Sequence, residues 1–205
     1  APGVWEALQF AGAELIAPST WRLSGLLRGQ AGTESAMAEA LAAGARFVLL
    51  DAAVARMPGG AEAQGSHWAP RLGPAGASPD DAAFADAQAD YAARGRLPFA
   101  PGHVRAVRAG GDLALSWVRR ARDDAGSWSE LEVALGEEAE RYRLEILDGA
   151  AVKRRVETDA PGFLYTAAMQ AADWGGAAAP PLSVRVAQIS PRFGAGAARA
   201  AELNF

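Results

Sequence analysis

The sequence predicts a mainly β protein: a small antiparallel β domain followed by a two-sheet β-sandwich. Three observations carry this expectation. Apolar and polar residues alternate at period two through many short stretches. In the second half, turn residues recur every ten or so positions, the spacing of short sandwich strands. Between the halves stand Pro98 and Pro101, which fix local φ and remove two backbone donors, so they mark a boundary rather than an element interior. The expected division is 1–97, a small β-rich domain with a long irregular loop, and 98–205, the sandwich.

Composition bounds the function classes. The chain has 205 residues, 50% apolar and 21% charged, which is a globular balance. A net charge of -4 gives no basic field for nucleic acid or an anionic membrane. With no cysteine, a disulfide framework, a thiolate zinc site and a cysteine nucleophile are all excluded. No apolar run approaches the ~18 residues a spanning helix needs. The chain opens on Ala1-Pro2-Gly3 and reads as part of something longer.

In the first half, residues 4–10 and 13–16 alternate loosely, and 21–29 alternates cleanly, giving three short antiparallel strands that place Trp21 in a core. Thr33, ahead of Glu34 and Ser35, is expected to cap an alanine-rich helix over 36–43, stopped by Gly44. Residues 46–51, apolar after a glycine, read as a buried strand by their length. Punctuating residues crowd 57–81, leaving only 67–69 and 71–72 as strand candidates. Over 84–91 propensity says helix, but Asp86, Gln88 and Asp90 fall on one face and Ala85, Ala87, Ala89 and Tyr91 on the other. The strand is favoured.

The second half begins with Val104 and Val107, a Gly110-Gly111 turn, then Leu113, Leu115 and Trp117 at period two. A charged loop follows from 118 to 126, then an extended edge segment over 127–135. Tyr142, Leu144 and Ile146 point inward from a strictly alternating strand, and Asp148-Gly149 turns it into the strand 152–158. Residues 163–169 are expected as a strand, and 182–190 as another with Val184 and Val186 inward. A last strand lies near 198–205.

Residues 98–205 resemble a fibronectin type III module. Pro98 and Pro101 stand where such modules open. Residues 113–117 look like the second strand with its core tryptophan, 142–146 like the third and 184–188 like the sixth. Leu182 occupies the place of the family's corner tyrosine, so the hydroxyl-to-backbone bond should be missing. The connection 119–139 is also longer than the usual one. Taken in order, the runs at 23–34, 44–51, 98–105, 115–122, 135–149 and 184–190 resemble the large baseplate hub, or megatron, protein of gene transfer agents and related long-tailed phages. That resemblance implies the C-terminal region of a long host-specificity polypeptide, a homotrimer in the particle, with a glycosidase-like barrel upstream in its relatives.

Candidate sites are few. Asp80-Asp81, Asp123-Asp124 and Glu137-Glu138 offer carboxylate pairs, but in loops where solvated turn acids explain them better than glycosidic chemistry. His67 and His103 make no ligand pattern. The cluster Arg119, Arg120 and Arg122 is short and flanked by acids, so a subunit contact suits it better than nucleic acid. Trp128 and Trp174 stand near turns, where a ring anchors an interface or stacks on a sugar. No catalytic, metal or cofactor residue is assigned.

The function expected is therefore a non-enzymatic structural component of a phage-like tail tip. It would be made in the bacterial cytoplasm, reside in the virion, and support assembly with host attachment or DNA delivery. Its partners are further copies of itself and other tail proteins. The alternative is a carbohydrate-binding module that recognises host surface polysaccharide or serves a glycoside hydrolase.

Overall fold

The computed structural model describes residues 5–55, 63–91, 94–122 and 134–205. The chain divides into two compact units, Ala1–Glu39 with Leu97–Phe205, and Ala40–Arg96. This grouping differs from the expected division at 97–98, because residues up to 39 join the unit that holds the sandwich. Side chains of that unit make the tie: Arg120 pairs with Glu34, and a Cβ on Gly32 would come within 2.9 Å of the Phe99 ring.

The sandwich is fibronectin type III-like. Its strands are β9 (Gly102–Ala109), β10 (Asp112–Val118), β11 (Tyr142–Asp148), β12 (Ala151–Thr158), β13 (Gly162–Tyr165), β14 (Leu182–Ser190) and β15 (Gly194–Leu203). One sheet runs β13-β10-β9 and the other β12-β11-β14-β15. Both are antiparallel, and register follows the alternation: Leu144 stands opposite Val156 on one side and Val186 on the other. Inward residues Leu113, Leu115, Trp117, Tyr142, Leu144, Ile146, Val184 and Val186 meet in one core, joined by Tyr165, Leu182 and Leu203. Trp117 packs edge-on against Tyr142 with ring centres 5.4 Å apart. Burying a side chain of this kind is worth about 1.5–3 kcal/mol, so the alternation supplies most of what holds the two sheets together.

The boundary stretch is fixed against the last strand. Gly196 of β15 lies so close to Pro98 that a Cβ there would stand 2.1 Å from the Pro98 carbonyl oxygen. Only glycine permits that approach.

Residues 163–169 do not form one strand. Strand β13 stops at Tyr165, and α1 (Ala167–Trp174) follows. The Thr166 hydroxyl accepts the Met169 N–H, and Gly175 ends the helix in the left-handed region with φ 76°. Gln170 locks this corner. It is fully buried, donates to the Gly111 and Tyr165 carbonyls at 3.0 and 2.8 Å, and accepts the Ala178 N–H at 3.1 Å. The missing corner tyrosine is thus a buried Leu182, and an amide side chain secures the connection instead.

Before the sandwich lie β1 (Ala7–Gln9), β2 (Gly12–Ala17), β3 (Thr20–Ser24) and β4 (Leu27–Gln30). The clean alternation of 21–29 is therefore two strands. It breaks at Gly25, whose φ of 63° and contact with Ala11 demand glycine. Strand β1 pairs with β4, and the Glu6 carboxylate locks the pair by accepting from Arg28 Nε (2.9 Å) and the Gly29 N–H (3.1 Å). Strands β2 and β3 form a separate two-stranded hairpin. Trp21 is not in a core: it is 58% exposed, because among the described residues no second layer covers the hairpin face it occupies.

The helix expected over 36–43 is only a 3₁₀ turn, Glu34–Ala36. Thr33 gives it no cap, since its hydroxyl accepts the Ala7 N–H and donates to the Gln30 carbonyl. In the second unit, residues 46–51 are neither strand nor buried, because no described strand pairs with them. That unit has β5 (His67–Trp68), β6 (Arg71–Leu72), β7 (Ala85–Asp86) and β8 (Ala89–Asp90), paired β5-β8 and β6-β7. The segment 84–91 is extended at two places rather than helical. Most of the edge segment expected over 127–135 lies outside the described residues.

Candidate contact surface

The arginines after β10 are tied to their own chain. Arg120 pairs with Glu34, and its guanidinium lies 5.2 Å from the centre of the Phe99 ring. Arg122 pairs with Glu137, both side chains being almost covered, and Nη2 donates to the Gly136 carbonyl at 3.0 Å. Fifteen residues apart, this pair clamps the two ends of the long connection where they leave the sandwich. Arg119 is half-buried and close enough to Tyr142 to favour its ionised form. Burial and the hydrogen bond to Glu140 outweigh that influence and push the phenol up. The sequence sees a basic cluster here; the fold uses it as internal ties.

Trp174, at the end of α1, belongs to a polar chain. Its Nε1–H donates to the Tyr165 hydroxyl at 2.8 Å, and that hydroxyl donates to Asp173 at 2.7 Å. Asp173 in turn accepts two bonds from Arg154, at 2.6 and 2.8 Å. The Arg154 guanidinium holds the Asp173 carboxyl below the usual carboxylate range. Burial, then the bond to Asp173, pushes the Tyr165 phenol up to about 12. The Lys153 ammonium sits 5.3 Å from the centre of the Trp174 ring, so this tryptophan presents no open platform for a sugar. The adjoining cleft, 280 Å³ beside Trp174, Leu182, Ser183 and Glu202, is smaller than the ~300–1,000 Å³ typical of ligand pockets. Trp128 lies outside the described residues.

The acids are also placed apart. Asp81 accepts the Ala83 N–H in a local turn, Glu137 pairs with Arg122, and Asp123-Asp124 lie outside the described residues. His67 pairs with Asp90 across β5-β8, whereas His103 begins β9. Among the described residues no group of three or more His, Cys, Asp or Glu could hold a metal ion.

What stands open is apolar. On the β2-β3 hairpin, Leu15 lies directly opposite Trp21 and Ala13 opposite Leu23, so these four share one face. The opposite face carries the Glu14–Arg22 ion pair. Leu15 is 57% exposed. In the second unit Phe47, Val48, Leu49 and Leu50 form a continuous exposed run, Leu50 at 75%. Their apolar character was plain in the sequence, but their exposure was not, because an apolar run does not say whether anything covers it.

A family model described as "Rcc01698-like, C-terminal" matches residues 1–48. No curated protein matches the chain. Among solved structures, the chain is similar to domains d3-d4 of the rat CD45 extracellular region, at 10% identity and TM-score 0.35, covering 93% of each chain. It is similar to domains A168-A170 of titin at 14% identity and TM-score 0.32, covering 59% of this chain and 37% of that one. For the FN5 domain of Drosophila Lar the values are 15%, 0.27, 53% and 99%. The fold stated above stands on strand order and register.

Proposed function

We propose that this chain is a non-enzymatic structural part of the tail tip or baseplate hub of a phage-like particle. There it supports assembly together with host attachment or DNA delivery. The ordered motifs that resemble those of gene transfer agent hub proteins support the reading.

One observation carries it: the sandwich is complete in itself, while the residues before it leave large apolar side chains open at Leu15, Trp21 and 47–50. Contiguous exposed apolar surface marks a place where another molecule binds. Copies repeated around a homotrimeric hub add their weak contacts into a firm attachment.

The test is a particle whose hub lacks these 205 residues. The expected result is incomplete tails and no DNA delivery; complete tails with normal delivery contradict the proposal. A glycan array on the chain is expected to be blank. Selective binding lost on Trp128→Ala or Trp174→Ala would favour the carbohydrate-binding alternative.

A further inference from the structure

We infer that the cleft beside Trp174 receives one basic side chain, arginine or lysine, projected by a partner polypeptide, with Glu202 as its counter-charge.

Size and lining set the class of occupant. The cleft holds 280 Å³, below the ~300–1,000 Å³ that takes a whole small molecule. A single long basic side chain asks for less: apolar surface along its stem and a polar rim for its charged head. Leu147 and Leu182 supply the apolar surface and Trp174 a wall, while the charged groups lining the cleft, Asp148 and Glu202, are both acids. Such a lining favours a cation over an acidic or apolar side chain.

The rim already displays the chemistry once. Lys153, which does not line the cleft, holds its ammonium 3.3 Å from Asp148 and 5.3 Å from the centre of the Trp174 ring. Asp148 is thereby neutralised from outside. Glu202 is not: its Oε1 accepts the Ser183 hydroxyl at 2.6 Å, and no cation pairs with it among the described residues. Arg185, two positions beyond Ser183 on β14, is turned to Glu145 instead, at 2.7 and 2.5 Å. An uncompensated carboxylate and an indole thus line one cleft, a combination that recognises ammonium and guanidinium heads.

The probe is N-acetyl-arginine-N-methylamide, titrated into the isotope-labelled 205-residue chain and followed by NMR at the Ser183 amide and the Trp174 indole. Both resonances should move together, and the uncharged citrulline analogue should bind about 10-fold more weakly. Glu202→Gln keeps an oxygen for the Ser183 hydroxyl and removes only the charge, so it should weaken the arginine probe by a similar factor. Glu157→Gln alters an acid at the far end of β12, paired with Arg143 at 3.0 Å, and should leave binding unchanged. Equal binding of the citrulline analogue overturns the inference on the unaltered chain, however well the variants fold. Equal weakening by Glu202→Gln and Glu157→Gln also overturns it, reducing the effect to overall charge, as does a titration in which neither resonance moves. Shifts of the same resonances with protein concentration alone would give the cleft to a second copy and overturn it too. None of these outcomes bears on whether particles need the chain, which the hub deletion decides.

Discussion

The sandwich and the unit Ala40–Arg96 are written in similar language and end in opposite states. Both contain short apolar runs broken by glycine and proline. In the sandwich each alternating strand faces a second sheet, and Leu113, Tyr142, Leu144 and Ile146 are shut away from water. In Ala40–Arg96 no described residue is buried. Its ladders are two residue pairs each, held by the His67–Asp90 hydrogen bond, the Arg71–Asp86 ion pair and a Trp68–Tyr91 stack at 5.6 Å. Exposed ion pairs contribute only about 0–1 kcal/mol apiece. Apolar sequence makes a core only where a second layer exists to receive it, and among the described residues one region has that layer and the other does not.

The largest effect should come from the sandwich core. Trp117→Ala removes a ring packed between both sheets and is expected to cost about 3–5 kcal/mol in urea unfolding. Next comes Gln170→Ala. It strands the Gly111 and Tyr165 carbonyls and the Ala178 N–H, and should cost about 1–3 kcal/mol by the same measurement.

Acid acts on the Arg154–Asp173 pair. In the unfolded chain Asp173 takes up its proton near the ordinary value of about 4, while the folded protein holds the carboxylate to lower pH. Stability from this pair is therefore present above the unfolded pKa and lost as pH falls through the folded one. Urea midpoints followed downward from about pH 6 should show that loss, and Asp173→Asn should make the acid slope shallower. The smallest effect belongs to the other region: Leu50→Ala should change the stability of the isolated chain by less than about 0.5 kcal/mol. A large loss there would mean that 46–51 is buried after all, and the comparison would fail.

The sandwich was legible in the sequence because period-two alternation both makes a strand and chooses its inward face. Leu113 to Trp117, Tyr142 to Ile146 and Val184 to Val186 fall where that pattern puts them. Helix α1 was missed: 163–169 reads as one strand because the apolar residues from Phe163 onward mask the change of period, although Thr166 and Gly175 bracket an alanine-rich run. Alternation misleads at Trp21, and the length of an apolar run misleads over 46–51, since both are blind to whether a covering layer exists. The basic cluster misleads in reverse, because the acids that neutralise Arg120 and Arg122 stand 86 and 15 residues away in sequence. Spacing shows which charges are present, not which partner reaches them.

The central claim is that the uncovered apolar residues serve assembly rather than the fold of this chain. The direct measurement is a double variant, Leu49→Asp with Leu50→Asp, examined both as the free chain and in particles. The account predicts an unchanged urea unfolding curve together with loss of complete tails and of DNA delivery. Particles that assemble and deliver DNA normally with both aspartates in place would contradict it.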